Sequence, residues 1–281
     1  MRESHRTART LRPALSYLAL AVFVLFAIYP IVQIVTVALR PGDQLLATSL
    51  NPIPRGATLA NFGVLLTETP FLRWLANSTL IALAVTLTGV ALASTAGYAL
   101  SRYRFLGRAS MLNGLLVTQM FPATMLLLPL YLILIKLSLI NSYLGVIIIY
   151  AATALPFCIW QLKGYYDTIP QSLEEAASID GCSRWQSFYL IVLPLAAPAL
   201  VITALFSFMT AWNEYVVAAL MLQDVELFTL PVGLRMFQAN MSTQWGLYAA
   251  GALLVSIPVV LLFLFLSRYL VSGLSSGAVK G

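Results

Sequence analysis

The side chains that ordinarily carry chemistry are few in this sequence. The one histidine, His5, sits in a basic N-terminal stretch, so no histidine metal site or His-Asp relay can be assembled. Cys158 and Cys182 are too few for a disulfide framework or a zinc site. Cys158 reads as a small buried residue, and Cys182 has no cation nearer in sequence than Arg184 to favour a thiolate. No G-x-x-x-x-G-K-[ST] run is present to cradle phosphates. Two places remain. Glu214 stands alone in an apolar stretch beside Trp212 and Asn213, and Glu174, Glu175 and Asp180 cluster in a short polar segment, Thr-Ile-Pro-Gln-Ser-Leu-Glu-Glu-Ala-Ala-Ser-Ile-Asp-Gly, over 168–181. Neither has the partners that catalysis needs. Both suit binding, docking or the passage of a solute.

The elements that hold these residues follow from composition. Charged residues make up 9% of the 281-residue chain and the mean hydropathy is +0.88. An ordinary soluble domain carries about 25% charge, so a soluble enzyme and a disordered chain are both excluded. The chain is free of Asp, Glu, Lys and Arg over 13–39, 74–101, 109–135, 137–162, 185–213 and 236–267. Each window exceeds the roughly 20 residues that span a hydrocarbon core. The expected fold is an all-α membrane protein of six transmembrane helices, near 14–39, 76–100, 111–135, 143–161, 196–221 and 246–268. A basic start followed by an apolar run resembles a signal peptide, but the run is too long and lacks a small-residue cleavage site, so it counts as the first helix. Eleven Lys and Arg fall on one side of this topology and five on the other. The positive-inside rule then places both termini in the cytoplasm. The expected organisation is a cytoplasmic tail over 1–13, a six-helix transmembrane domain over 14–268 and a second cytoplasmic tail over 269–281.

In the second span, Gly89, Ala93 and Gly97 recur every fourth residue, a face that lets helix backbones approach closely. Pro30, Pro122, Pro129, Pro156 and Pro258 fall inside the windows and each removes a helix hydrogen bond. They bend helices around a pathway or simply kink them.

The cytoplasmic segment 163–194 is patterned as two helices. Pro170 suits a first helical position, Gly181 a C-terminal stop, and Glu174 and Glu175 the positive end of the dipole, giving a helix of about three turns. Leu173, Ala176 and Ala177 form a narrow apolar stripe on it. Ser183 with Gln186 makes a capping box for a second helix that presents Trp185, Phe188, Tyr189 and Val192.

Glu175-Ala176-Ala177, then Gly181, then Ile191-Val192-Leu193-Pro194 resembles the EAA loop of ABC-importer permeases, with each signature position filled at the family's spacing. The resemblance covers nearly the whole chain and points to the type I importer permease fold and, within it, the shorter permease of maltose and maltodextrin importers. It is carried further by Leu39-Arg40-Pro41-Gly42, Asn77-Ser78, Gln119-Met120-Phe121-Pro122-Ala123, Lys163-Gly164-Tyr165-Tyr166, Phe228-Thr229-Leu230-Pro231-Val232-Gly233, Gln244-Trp245-Gly246 and the ending Gly277-Ala278-Val279-Lys280-Gly281.

This resemblance implies a non-catalytic subunit in the inner membrane, working with a second, longer permease, two ATPase subunits that bind the ATP, and an extracytoplasmic solute-binding protein. It implies no cofactor of its own and no nucleic-acid partner. Glu175, Ala176, Ala177, Asp180, Gly181, Ile191, Leu193 and Pro194 are then expected to couple to the ATPase. Trp212, Asn213, Glu214 and Gln119 are candidates for the translocation pathway. No Lys or Arg in a span neutralises Glu214, so a polar cavity or the partner permease must, unless the side chain reaches the interface. Gln238, Asn240 and Ser242 in the outer loop 223–244 are candidates for the binding-protein contact. Tyr150, Trp160 and Trp212 suit either sugar stacking or the interfacial aromatic belt, Trp160 fitting the belt better. The expected cargo is a maltooligosaccharide or related α-glucoside. The same architecture carrying glycerol 3-phosphate or another solute is the alternative, and a self-contained secondary carrier or channel is the remote one, since it needs coupling charges inside the bundle and Glu214 is the sole one.

Overall fold

A computed structural model describes residues 2–42, 45, 53–238 and 243–277, with side chains for 15–42, 45, 53–122, 125–238 and 243–267. Its helices are α1 (Arg2–Ala38), α2 (Ala60–Thr67), α3 (Phe71–Arg102), α4 (Arg108–Met120), α5 (Ala123–Lys136), α6 (Tyr143–Tyr166), α7 (Ser172–Ile179), α8 (Arg184–Leu195), α9 (Ala197–Asn213), α10 (Val216–Met221), α11 (Leu230–Arg235) and α12 (Trp245–Gly277). Among the described residues, four helices are long and apolar enough to cross a membrane, and six spans result if the bent pairs α4 with α5 and α8 with α9 each count as one.

Two expected spans are broken, and the sequence explains both. The third stops at Phe121 and Pro122, both extended. Proline lacks the N–H that would continue the ladder and disfavours helical backbone at the residue before it. By contrast Pro129, Pro156 and Pro258 stay inside continuous helices. The expected helix 196–221 ends at Asn213, because Glu214 turns extended, with φ −71° and ψ 128°. Its carboxylate then accepts the amide N–H groups of Val217 at 2.9 Å and Ala218 at 3.2 Å, which start α10.

The chain forms two compact units. One combines the chain up to Thr69 with Leu234–Val255. There Asn61 closes the end of α1, its Nδ2 donating to the carbonyls of Ala38 at 2.8 Å and Arg40 at 3.1 Å. Gly246 lies so close to the Asn61 amide that a Cβ would meet it at 2.6 Å.

The other unit, Pro70–Gly233 with the chain from Ser256 onward, is built on α3, α6 and α9 packed together. The small-residue face of α3 is buried as its spacing predicts. A Cβ on Gly97 would lie 3.1 Å from the Lys163 nitrogen and 3.3 Å from the Ile159 carbonyl on α6, and one on Gly89 would lie 3.0 Å from Ser207 Oγ on α9. Gly97→Val is therefore expected to force α3 from α6 at a cost of about 1–3 kcal/mol. Gly164→Ala, whose Cβ meets nothing within 4 Å, is the control. Thermal unfolding of the assembled complex checks the pair: the first midpoint falls, the second does not.

The start of α3 holds the segment after α10. Trp74 Nε1 donates to Val225 O at 2.9 Å, Asn77 Nδ2 to Glu226 O and Phe228 O, and Ser78 Oγ accepts from the Leu230 amide at 2.7 Å. Arg73 pairs with Glu226. The other end of α3, at Tyr98–Arg102, holds the polar segment that follows α6.

Candidate functional site

The segment after α6 folds as α7, a tight turn and α8. The first helix is shorter than its pattern predicts. It begins at Ser172 with Gln171 as its cap, about two turns in all, and Pro170 stands outside it. The reason lies on α3: Arg102 Nη2 takes the Ile169 carbonyl at 3.1 Å, and Ile169 is itself buried, so the chain enters α7 from a pinned, non-helical position.

Gly181 ends the helix as expected. It adopts φ +91°, the left-handed region that other residues enter at a cost, and the Cys182 amide reaches back to the Ala177 carbonyl at 2.9 Å. Ser183 then caps α8. The Gln186 amide donates to Ser183 Oγ at 3.3 Å and the Ser183 amide to Gln186 Oε1 at 2.7 Å, completing the capping box.

Within α8, residues Phe188–Val192 form one wide π turn, with the Leu193 N–H bonding to Phe188 O five residues back. Pro194 supplies a cause. It has no N–H to give the Leu190 carbonyl and its ring crowds that oxygen, so the helix widens just before it. After Ala196 the chain enters α9 at 78° to α8, with Pro198 in its first turn.

The double helix is fastened to the bundle by one carboxylate, Glu174. Its Oε1 takes Arg102 Nε at 2.5 Å and its Oε2 takes the Tyr98 hydroxyl at 2.6 Å. Arg102 also donates to Tyr166 O at 2.8 Å. The side chains of Arg102 and Glu174 are 7% and 14% exposed, so the pair is shielded from water. Beside it Lys163 and Ser101 both reach Asp167, each at 2.6 Å. Burial raises the Asp167 carboxyl, but the bonds from Lys163 and Ser101 outweigh it and hold it below its ordinary 3.8. Its stabilising effect is therefore present above that value and lost only as acid titrates the folded carboxylate.

Aromatic packing completes the mount. Phe188 on α8 lies with its ring 4.6 Å from that of Tyr98, and Tyr98 meets Tyr166 edge-on at 6.2 Å. Arg184 sits 5.4 Å over the Tyr103 ring. A cleft of about 270 Å³ opens here, lined by Tyr98, Arg102, Glu174, Glu175 and Arg184 among others.

The signature residues thus divide by role. Ala177, Phe188 and Val192 are buried against the bundle, and Ile191 and Leu193 are half-buried. Glu175, Ala176, Asp180, Gly181 and Pro194 are exposed, together with Leu173, Ile179, Trp185 and Tyr189. The apolar stripe read from the sequence does not pack as a unit, since only Ala177 of its three members turns inward. The outcome is a protrusion whose outer surface mixes apolar and polar side chains and carries the carboxylates of Glu175 and Asp180. Tyr98 and Arg102, which mount it, carry no local sequence signature: the nearest hint is their i, i+4 spacing at the end of an apolar run.

Glu214 has hydrogen-bond partners within the chain, neutral donors that satisfy its oxygens without supplying a countercharge. Besides the two amides of α10 it accepts the Tyr150 hydroxyl at 2.7 Å. Of the other pathway candidates, Trp212 is buried, with an indole N–H that meets no acceptor among the described residues. Asn213 is exposed and donates to Met209 O, and Gln119 is exposed with Nε2 3.4 Å from Thr153 O, less than a turn along α6 from Tyr150. Trp160 is half-buried, its indole donating to Leu112 O at 3.1 Å. Gln238 accepts from Arg235, and Asn240 and Ser242 lie outside the described residues.

Residues 86–276 match the family described as binding-protein-dependent transport system inner membrane component. The chain is 38% identical to the maltose/maltodextrin transport system permease protein MalG of Salmonella typhimurium, covering 98% of each. It is 37% identical to the maltodextrin transport system permease protein MdxG of Bacillus subtilis, over 98% of this chain and 99% of that one. Among solved structures, a chain of a bacterial ABC transporter involved in the import of the acidic polysaccharide alginate superposes with a TM-score of 0.81 at 25% identity, over 92% of this chain and 96% of that one. An all-helical multi-span bundle, an intact EAA segment on a rigid mount and a family match over most of the sequence converge: this chain belongs to the binding-protein-dependent transport system inner membrane components, as a non-catalytic, multi-pass permease subunit of an ABC importer.

Proposed function

We propose that the chain is the shorter of two permeases in an importer of maltooligosaccharides, and that the α7–turn–α8 protrusion seats in an ATPase subunit. The observation that carries the cargo is the 37–38% identity, over nearly full length, to permeases of maltose and maltodextrin systems. The alginate transporter, a second carbohydrate system, supports the broader class. In this reading residues 14–268 form the permease domain, and 1–13, 163–194 and 269–281 face the cytoplasm. ATP is bound by the partner ATPases and this chain needs no cofactor. Glu175, Ala176, Ala177, Asp180 and Gly181 meet the ATPase, while Ile191, Leu193 and Pro194 set the wide turn that carries motion into α9. Trp212, Asn213, Glu214 and Gln119 border the solute path. Gln238, Asn240 and Ser242 face the binding protein.

The test is the cognate solute-binding protein, titrated calorimetrically with maltooligosaccharides, other sugars and glycerol 3-phosphate. The expected result is binding of maltooligosaccharides at least about tenfold tighter than the rest, a difference of about 1.4 kcal/mol. The same sugars then stimulate ATPase activity in the reconstituted complex. Preference for glycerol 3-phosphate, or uptake by the lone permease in sealed vesicles, overturns the reading.

A further inference from the structure

The short connection between α3 and α4 has a composition unlike the other polar segments. It runs Tyr103-Arg104-Phe105-Leu106-Gly107 and turns into α4 through Gly107 at φ +90°. Leu106 is wholly exposed, Phe105 is 44% exposed, and both project at the tip. They are flanked by Arg104, also exposed, and by Arg108 at the first position of α4.

Two adjoining hollows of about 540 Å³ each lie at this end of the bundle. One is lined by Arg104, Phe105, Leu106, Arg108 and Lys163, the other by Ser101, Arg102, Arg104, Arg108 and Asp167. Four cations therefore line them against one acid. Lys163 is paired with Asp167 and Arg102 with Glu174, which leaves Arg104 and Arg108 without an ion pair among the described residues. Among the described residues Arg108 donates only through its Nε, to the Leu100 carbonyl at 2.7 Å, which leaves its terminal nitrogens to donate elsewhere. Its charge is felt locally, as one of the influences that hold Asp167 ionised.

We infer that this corner is a binding site for an anionic phospholipid of the cytoplasmic leaflet, its phosphate between Arg104 and Arg108 and its acyl chains against Phe105, Leu106 and Leu112. The occupant is fixed by three things together. The corner lies at the end of the spanning helices α3, α4 and α6. Its net charge is positive on the side that the eleven-to-five distribution of Lys and Arg assigns to the cytoplasm. Its cations adjoin apolar side chains exposed at that same level, which a soluble phosphate would leave in water. Basic hollows between membrane helices on the cytoplasmic side are suited to anionic headgroups, and the tip supplies the hydrophobic half of the contact. The inference needs the membrane placement of the chain but not the identity of its sugar.

The assembled transporter is the sample. It is reconstituted in nanodiscs of phosphatidylcholine with a minor share of phosphatidylglycerol, and retained lipid is counted by native mass spectrometry. Phosphatidylglycerol is expected to be retained over phosphatidylcholine. Arg104→Gln should lower its retention about fivefold, and Arg104→Gln with Arg108→Gln about 25-fold, given about 1 kcal/mol per basic residue near an anionic surface. Because Arg108 also holds Leu100, Leu106→Ser serves as the variant that leaves every hydrogen bond in place, and it should weaken retention as well. Excess inorganic phosphate should not displace the lipid. A nitroxide at Leu106→Cys reports the surroundings: collision with oxygen above that with a water-soluble nickel complex is expected. Equal retention of the two lipids, unchanged retention in Arg104→Gln, displacement by phosphate, or a nitroxide shielded from both reagents by a neighbouring subunit would each overturn the assignment.

Discussion

Arg102→Met is expected to uncouple the transporter, cutting solute uptake at least tenfold while the complex still assembles and hydrolyses ATP. Among the described residues Arg102 is the cation paired with the carboxylate that fastens α7, and both side chains are mostly buried. Removing one partner of such a pair leaves a charge without compensation, at a cost of about 3–5 kcal/mol. The substitution also strips donors from the Tyr166 and Ile169 carbonyls, which lie on the chain entering α7. Glu174→Gln should do less harm: it too leaves a buried charge, on Arg102, but that guanidinium keeps the glutamine oxygen and the Tyr166 and Ile169 carbonyls as acceptors. The order is the informative part. Uptake per ATP hydrolysed, measured on the same vesicles, should fall in the sequence wild type, Glu174→Gln, Arg102→Met. Wild-type coupling in Arg102→Met would show that the protrusion needs no rigid mount on α3.

This pair also marks where sequence reading stops. Local chemistry was legible. The turn at Gly181, the capping box at Ser183 and Gln186, the close-packing face of Gly89, Ala93 and Gly97, and four of the six apolar spans all follow from local sequence pattern, and the structure contains each of them. Contacts between distant segments were not. Glu174 read as a residue favoured by the helix dipole, whereas in the fold it is the mount; its partners Tyr98 and Arg102 lie 76 and 72 positions away. Likewise Asn77-Ser78 and Phe228–Gly233 stood out only as fragments of resemblance. In the structure they hold one another, through Asn77 to the Phe228 carbonyl and Ser78 to the Leu230 amide. Glu214 misled for a related reason. A hydropathy window sees one charge in an apolar run and extends the helix through it, but the carboxylate takes the amides of Val217 and Ala218, and this ends one helix and starts the next.

Gly181 allows the docking role of the exposed surface to be separated from its folding. With φ at +91°, any L-residue here carries a backbone penalty of about 1–2 kcal/mol, and asparagine carries less because it tolerates that region. Space is not the constraint within this chain, since a Cβ at 181 meets no atom within 4 Å. Gly181→Ala and Gly181→Trp therefore share the same backbone strain and differ only in what projects outward from the turn. If the turn sits against an ATPase subunit, Gly181→Asn should transport nearly as wild type, Gly181→Ala should lose a few fold, and Gly181→Trp should lose uptake altogether while inserting in the membrane at normal levels. Solute-stimulated ATPase activity should disappear with it, because the bulky ring holds the two subunits apart. A Cβ at 181 points into open space among the described residues, so a loss beyond that of alanine is expected from a partner pressed against the turn. Equal activity of the alanine and tryptophan variants would place the ATPase contact elsewhere on the protrusion, with Ile179 and Trp185, both largely exposed, the next residues to substitute.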